Sequence, residues 1–160
     1  MHSFDKFHEL VSKTINENPF SNSPEELYEP MDYILNIGGK RIRPILTLLG
    51  TDLFGGEIKE SLKPSLAIEF FHNFSLMHDD IMDNASLRRS KMTVHEKYGV
   101  NTAILSGDAM LVRAYQFLED LEPVLFKRCT QLFSQTAIEV CEGQQFDVNY
   151  ETRLNVTYEE

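Results

Sequence analysis

Three aspartates fall within five positions of the stretch "NFSLMHDDIMDNASLRRSKMTVH", residues 73–95, and two adjacent arginines follow them. On a helix, Asp79 and Asp83 share one face, about 6 Å apart along the axis, and Asp80 lies about 100° further round. Like charges at this spacing destabilise a helix, and burying an unpaired carboxylate costs far more. A divalent cation removes that repulsion. Magnesium (Mg2+) takes one or two carboxylates, keeps several waters and completes its shell with substrate phosphate oxygens. Asp79 and Asp83 are thus candidate metal ligands, with Asp80 flanking, and a phosphorylated substrate would supply the rest of the shell. The plainer alternative is that the aspartates mark the point where the helix emerges into water. Arg88 and Arg89 favour the first reading, because a guanidinium fork holds diphosphate oxygens bidentately. Cations around a diphosphate also make it a better leaving group. His72 stands two helical turns before Asp79 and shares its face.

A second anion site is legible in "GGKRIRP", residues 38–44. Paired glycines let a ligand approach the backbone closely. Lys40 and Arg43 add charge, and a helix N-terminus follows. One site carries carboxylates and the other carries none. That asymmetry implies two phosphorylated ligands handled differently, one ionised and one only held.

The elements that must position these groups read as helices. Phe4, Phe7, Leu10, Val11 and Ile15 recur at helical spacing within residues 3–17. "NSPEEL" is a helix start, with Ser23 as cap and Pro24 in the first turn, and Gly38-Gly39 ends that helix. Pro44 suits the first turn of a third helix that runs to Gly55-Gly56. A long helix is expected from Ser61 or Pro64 to Asn84, apolar over much of its circumference and therefore central. Residues 99–121 read as a further helix capped by Asn101 or Thr102, and Pro123 opens the last. No alternating strand of useful length is found. The fold class is all-α, an antiparallel helical bundle, with residues 1–160 as one domain. "NVTYEE" reads as a helix start, Thr157 capping ahead of Glu159 and Glu160, so a piece of a longer chain is expected.

Composition narrows the function classes. The 160 residues are 42% hydrophobic and 25% charged, with a formal net charge of −10. An acidic balance of this size argues against a general nucleic-acid binder. No apolar run approaches the roughly 20 residues of a membrane span, and "MHSFDKFHELV" does not read as a secretory leader. Cys129 and Cys141 lie on one predicted helix, about 18 Å apart along its axis, too far for a disulfide. They are expected to be reduced core thiols of a cytoplasmic protein.

"GGKRIRP", "HNFSLMHDDIMD", "LRRSKMTVH", "GDAML" and "EGQQFD", in that order, resemble the N-terminal half of the trans-isoprenyl diphosphate synthases. The resemblance implies a head-to-tail prenyltransferase of the isoprenoid-synthase fold. Such an enzyme is magnesium-dependent, cytoplasmic and homodimeric, and condenses an allylic diphosphate with isopentenyl diphosphate. By position, Asp79 and Asp83 resemble the magnesium ligands of the first Asp-rich motif, with Asp80 in support. Arg88 resembles the allylic-diphosphate arginine. Lys40, Arg43, His72 and Arg89 resemble the isopentenyl diphosphate pocket, Gln144 the glutamine that faces the site, and Asp147 a further group near its mouth. The family commonly has glycine and proline where this chain has Ser90 and Met92, so the loop is expected to be less flexible at 90 and less rigid at 92. The second Asp-rich motif of the family is not in this sequence, so the 160 residues alone are expected to be inactive. Phe74 and Ser75, five and four residues before Asp79, resemble the floor that limits product length in short-chain enzymes. The products implied are geranylgeranyl or farnesyl diphosphate.

Three other readings compete. His72, His78 and Asp79 imitate part of an HD-type phosphohydrolase signature, with His95 as the remaining histidine of the later chain. A non-catalytic subunit of a prenyl synthase would share the fold. A terpene cyclase would share DDxxD but needs no isopentenyl pocket.

Overall fold

In a computed structural model the described residues are 4–20, 22–153, 155 and 157. They fall into two compact units, one ending at Glu119 and the other beginning at Asp120. The first unit holds six helices, α1 (Phe4–Asn16), α2 (Glu25–Asn36), α3 (Ile42–Leu53), α4 (Ile58–Met82), α5 (Val94–Tyr98) and α6 (Val100–Gln116). A two-stranded ribbon, β1 (Leu87–Arg88) and β2 (Lys91–Met92), lies between α4 and α5. The second unit contains α7 (Pro123–Tyr150). The expectation of an all-α protein holds.

The first unit is organised around α4, which packs most extensively on α6 and α3. Its core joins Phe7 and Val11 of α1, Met31, Ile34 and Leu35 of α2, Ile45 and Leu48 of α3, and Leu66, Ala67, Phe70 and Met77 of α4. On α6 the buried positions are mostly small: Ala103, Ser106, Gly107 and Ala114, with Met110 between them. Small residues let helices approach closely. A Cβ at Gly107 would lie 2.4 Å from His78 Nε2, so the bare backbone at residue 107 makes room for the His78 ring where α6 meets α4.

Several helix boundaries differ from the sequence reading. The cap of α2 is Pro24 rather than Ser23, in extended backbone and with no side-chain cap bond. The long helix starts at Ile58, ahead of both predicted starts, and carries Pro64 inside it. Pro64 lies in the second turn, past the positions where a missing amide costs nothing, so α4 lacks the ladder hydrogen bond from residue 64 to the Glu60 carbonyl. Gly99, not Asn101 or Thr102, precedes α6, which ends at Gln116 rather than 121. On α7, Pro123 does occupy the first turn, and the Glu122 carboxylate accepts from the amides of Val124 and Leu125. Cys141 is exposed and Cys129 half-buried, so neither is a core thiol. The helix start read from Thr157 to Glu160 lies largely outside the described residues.

Candidate active site

The aspartates occupy the C-terminal turn of α4, and the structure gives each a different setting. Asp80 is buried, at 2% exposure. Both its oxygens accept from Arg88 Nε at 2.9 Å, and Arg88 Nη2 stands 2.7 Å from Oδ1. Arg88 Nη2 also reaches Asp79 Oδ2 at 3.3 Å. Hydrogen bonding to Asp80 raises the Arg88 pKa further above its usual range. Asp79 keeps about a third of its side chain exposed, and Asp83, the C-cap, is exposed. Asp80 is thus the anchor of the ribbon, and Asp79 and Asp83 are the acids that face outward. Two accessible carboxylates one turn apart fit a magnesium ion, which needs only one or two and fills its shell from water and phosphate. No group of three His, Cys, Asp or Glu suited to a metal occurs among the described residues.

The ribbon explains the short reach from Arg88 back to α4. Leu87 pairs with Met92 and Arg88 with Lys91, leaving Arg89 and Ser90 as a two-residue turn. Both have positive φ, 52° and 63°. A turn of this kind matches the twist of the two strands but favours glycine or asparagine at both positions. The loop therefore keeps a tight hairpin path with Ser90 in a strained conformation, and a sequence reading that looked only for long alternating strands missed it.

About two turns before the aspartates, beside the middle of α4, is a cation-lined cavity of about 450 Å³. Lys40, Arg41, Arg43 and Arg89 line it together with His72, and Glu69 is the one acid in its wall. Gly39, at φ 151°, lies directly under the Arg89 guanidinium; a Cβ there would come within 2.5 Å of Nη1. Arg43 Nη1 is 3.2 Å from His72 Nε2. Arginine only donates, so the imidazole accepts and its proton sits on Nδ1. Burial first, then the Arg43 charge, lowers the His72 pKa, which keeps the ring neutral. Burial and the neighbouring Arg41 and Arg88 charges also lower the Arg89 pKa, though a guanidinium stays charged throughout.

Lys40, Arg43, His72 and Arg89 are thus brought together, and so are Asp79, Asp80 and Arg88. Gln144 and Asp147 lie on α7 in the second unit, Gln144 half-buried and Asp147 exposed. Ser75 donates to the His72 carbonyl at 2.9 Å. Phe74 packs edge-on against His78 at 4.7 Å and lies 5.7 Å from Phe71. The histidines of the rival phosphohydrolase reading point to separate partners. His72 binds Arg43, His78 lies 3.2 Å from the Ile104 carbonyl, and His95 lies 3.7 Å from Glu96. The sequence reading missed Glu69 and Asn73, both buried polar residues of α4. The available signal was a glutamate inside the apolar run "LAIEFF", where only a partnered charge is tolerated.

An all-α unit that sets acids at the C-terminal turn of its central helix, and a cation-lined cavity beside the middle of that helix, is an isoprenoid-synthase architecture. The chain belongs to the polyprenyl synthetase family, whose model, described as "Polyprenyl synthetase", matches residues 24–160. The geranylgeranyl diphosphate synthase of Methanosarcina mazei is 42% identical over 152 residues, which is 94% of this chain and 47% of that protein. A crystal structure of a geranylgeranyl pyrophosphate synthase aligns with a TM-score of 0.96 at 46% identity, covering 99% of this chain and 48% of that one. The geranylgeranyl pyrophosphate synthetase of Geoglobus acetivorans aligns at 0.93 with 37% identity, covering 98% of this chain and 52% of that one. The chain spans about half the length of the relatives it matches. No described helix is long and apolar enough to cross a membrane.

Proposed function

We propose that this chain forms the N-terminal half of a magnesium-dependent prenyltransferase that joins an allylic diphosphate head-to-tail to isopentenyl diphosphate. The observation that carries the reading is the division of charge along α4. The cavity beside His72 has four cations to one acid, and the turn two helical turns on has three acids to one cation.

Each site then has a distinct task. Lys40, Arg43 and Arg89 bind the diphosphate of the isopentenyl substrate by direct charge and hydrogen bonding. Neutral His72 orients Arg43 toward it. Asp79 and Asp83 repel a diphosphate on their own, so they would hold magnesium, which when bound offsets the charge that develops on the departing diphosphate. Arg88, fixed by Asp80, places a cation beside the same group. The allylic C–O bond breaks, the isopentenyl double bond attacks the allylic carbocation, and a proton leaves the new chain to the departed diphosphate. Phe74 and Ser75 lie one turn below Asp79, where side-chain bulk would limit product length, and geranylgeranyl or farnesyl diphosphate is the product proposed. The assembled protein is proposed to be a cytoplasmic homodimer.

The test is a product assay on the full-length protein with labelled isopentenyl diphosphate, geranyl or farnesyl diphosphate, and magnesium. A C15 or C20 product supports the reading. Diphosphate hydrolysis without chain growth would move the phosphohydrolase reading ahead, and no turnover would favour a non-catalytic subunit.

A further inference from the structure

We propose that Arg41 and Glu69 are positioning residues: a buried ion pair that fixes the diphosphate cradle and sets its affinity without carrying the ligand's charge. The inference rests on reading the cavity as the isopentenyl diphosphate pocket. Arg41 stands in the middle of "GGKRIRP" yet behaves unlike its neighbours. Lys40 and Arg43 are exposed, whereas Arg41 is buried to 7%. Its Nη1 is 2.5 Å from Glu69 Oε1, and its Nη2 donates to the Leu35 carbonyl. Glu69 Oε1 also accepts from Asn73 Nδ2 at 3.0 Å, and the same amide donates to the Glu69 carbonyl at 2.8 Å.

This small network ties three elements together. Leu35 lies in the last turn of α2, where carbonyls have no partner within the helix. Glu69 and Asn73 are one turn apart on α4, and Arg41 caps α3. Arg41 itself is held at φ 49°, a left-handed conformation that a side chain other than glycine rarely takes. A backbone forced into that region persists only when its surroundings determine it, and here the guanidinium fork supplies two fixed bonds. Because its charge is matched by Glu69, Arg41 adds little to the field on a ligand. What it contributes is the path of the loop: Gly39 under Arg89, and Lys40 and Arg43 on either side of the left-handed residue. An acid in the wall of an anion pocket would otherwise weaken binding, so its buried pairing to Arg41 is what makes its presence there compatible with the ligand.

The experiment uses the full-length protein and two variants. Glu69→Gln keeps shape and an acceptor oxygen but removes the charge. Arg41→Met with Glu69→Met removes both charges and refills the volume, which protects the fold. Inorganic diphosphate is titrated in EDTA by calorimetry, which reads the cation cavity without metal, and steady-state kinetics are measured with magnesium. Glu69→Gln leaves the Arg41 charge unmatched beside the cavity, which by field alone would tighten diphosphate binding. The expected result, about a tenfold weaker affinity, therefore reads the lost geometry of the loop, and tighter binding would overturn the proposal. KM for isopentenyl diphosphate should rise similarly, with KM for the allylic substrate and kcat within threefold. The double variant should recover melting temperature but not affinity. Unchanged diphosphate affinity in Glu69→Gln, or equal shifts in both KM values, would overturn the proposal and leave the pair as a purely structural one. If the wild-type protein binds diphosphate with the predicted sensitivity to Glu69→Gln but makes no prenyl product, the function reading fails and the cradle stands. If the wild-type protein does not bind diphosphate in EDTA, both fail.

Discussion

The C-terminal turn of α4 at Asp79 and the cavity beside its middle at His72 solve opposite electrostatic problems. In the cavity the cations are in excess, and the single acid, Glu69, is buried against Arg41. At the helix C-terminus the acids are in excess, and the single cation, Arg88, is shared between Asp79 and Asp80. Position on the helix adds to the contrast, because the C-terminal end of α4 presents partial negative charge and makes a bare anion there still less welcome. Under the proposed function, the cavity holds a diphosphate by direct charge. The C-terminal turn needs added positive charge before it can hold one. A reaction that must ionise one diphosphate and leave the other intact requires that kind of difference.

The comparison is broken most severely by removing an outward acid. Asp79→Asn in the full-length protein should lower kcat about a thousandfold or more, several kcal/mol of lost transition-state stabilisation. Arg43→Ala should instead raise KM for isopentenyl diphosphate about 10- to 100-fold with a smaller loss of kcat. Steady-state kinetics with both substrates varied separate the two patterns, and matching patterns would erase the distinction between the sites.

Next in size is the ribbon anchor. Arg88→Leu leaves Asp80 buried without its partner, and breaking a buried pair costs about 3 kcal/mol. Denaturant unfolding should show that loss, and Arg88→Leu with Asp80→Asn should recover part of it. The equivalent step at the exposed Asp83 should change stability little.

Acid sharpens the contrast further. The His72 pKa is lowered in the folded protein, so the unfolded chain binds that proton more readily than the native one. Its contribution is therefore full above the ordinary histidine pKa of about 6.5 and declines as pH falls below it, by at most about 1.4 kcal/mol per pH unit. Unfolding measured between pH 7 and 5 should show this decline, and His72→Gln should flatten it. The smallest effect expected is a gain. Ser90→Gly relieves a positive φ in the ribbon turn and should stabilise the protein by up to about 1 kcal/mol, read as a rise in melting temperature.

Much of this arrangement was legible in the residues. Apolar spacing together with proline and glycine start and stop signals identified the six longer helices, and the spacing of His72, Asp79 and Asp83 placed them along one helix face. The two basic clusters supply the cations of both places: Lys40, Arg43 and Arg89 line the cavity, and Arg88 pairs with Asp79 and Asp80. What escaped the reading was tertiary in origin. Nothing local distinguishes Asp80 from Asp79 and Asp83; Asp80 is the buried one because Arg88 reaches it from a hairpin eight residues on. The two-residue strands are too short for alternation to register, and the pairing of Arg41 with Glu69 spans 28 positions. Pro64 was read as a helix start because proline favours first turns, but packing of α4 on α3 and α6 carries the helix back to Ile58.

The most direct test of the account is equilibrium binding of two ligands to the full-length protein, with magnesium and then with EDTA. One ligand is isopentenyl diphosphate, and the other is a non-ionising allylic thiolodiphosphate. The account predicts that removing magnesium weakens the allylic analogue at least 100-fold and changes isopentenyl diphosphate affinity by no more than about threefold. Equal loss of both ligands, or retention of both, would contradict the claim that the two sites along α4 handle their diphosphates differently.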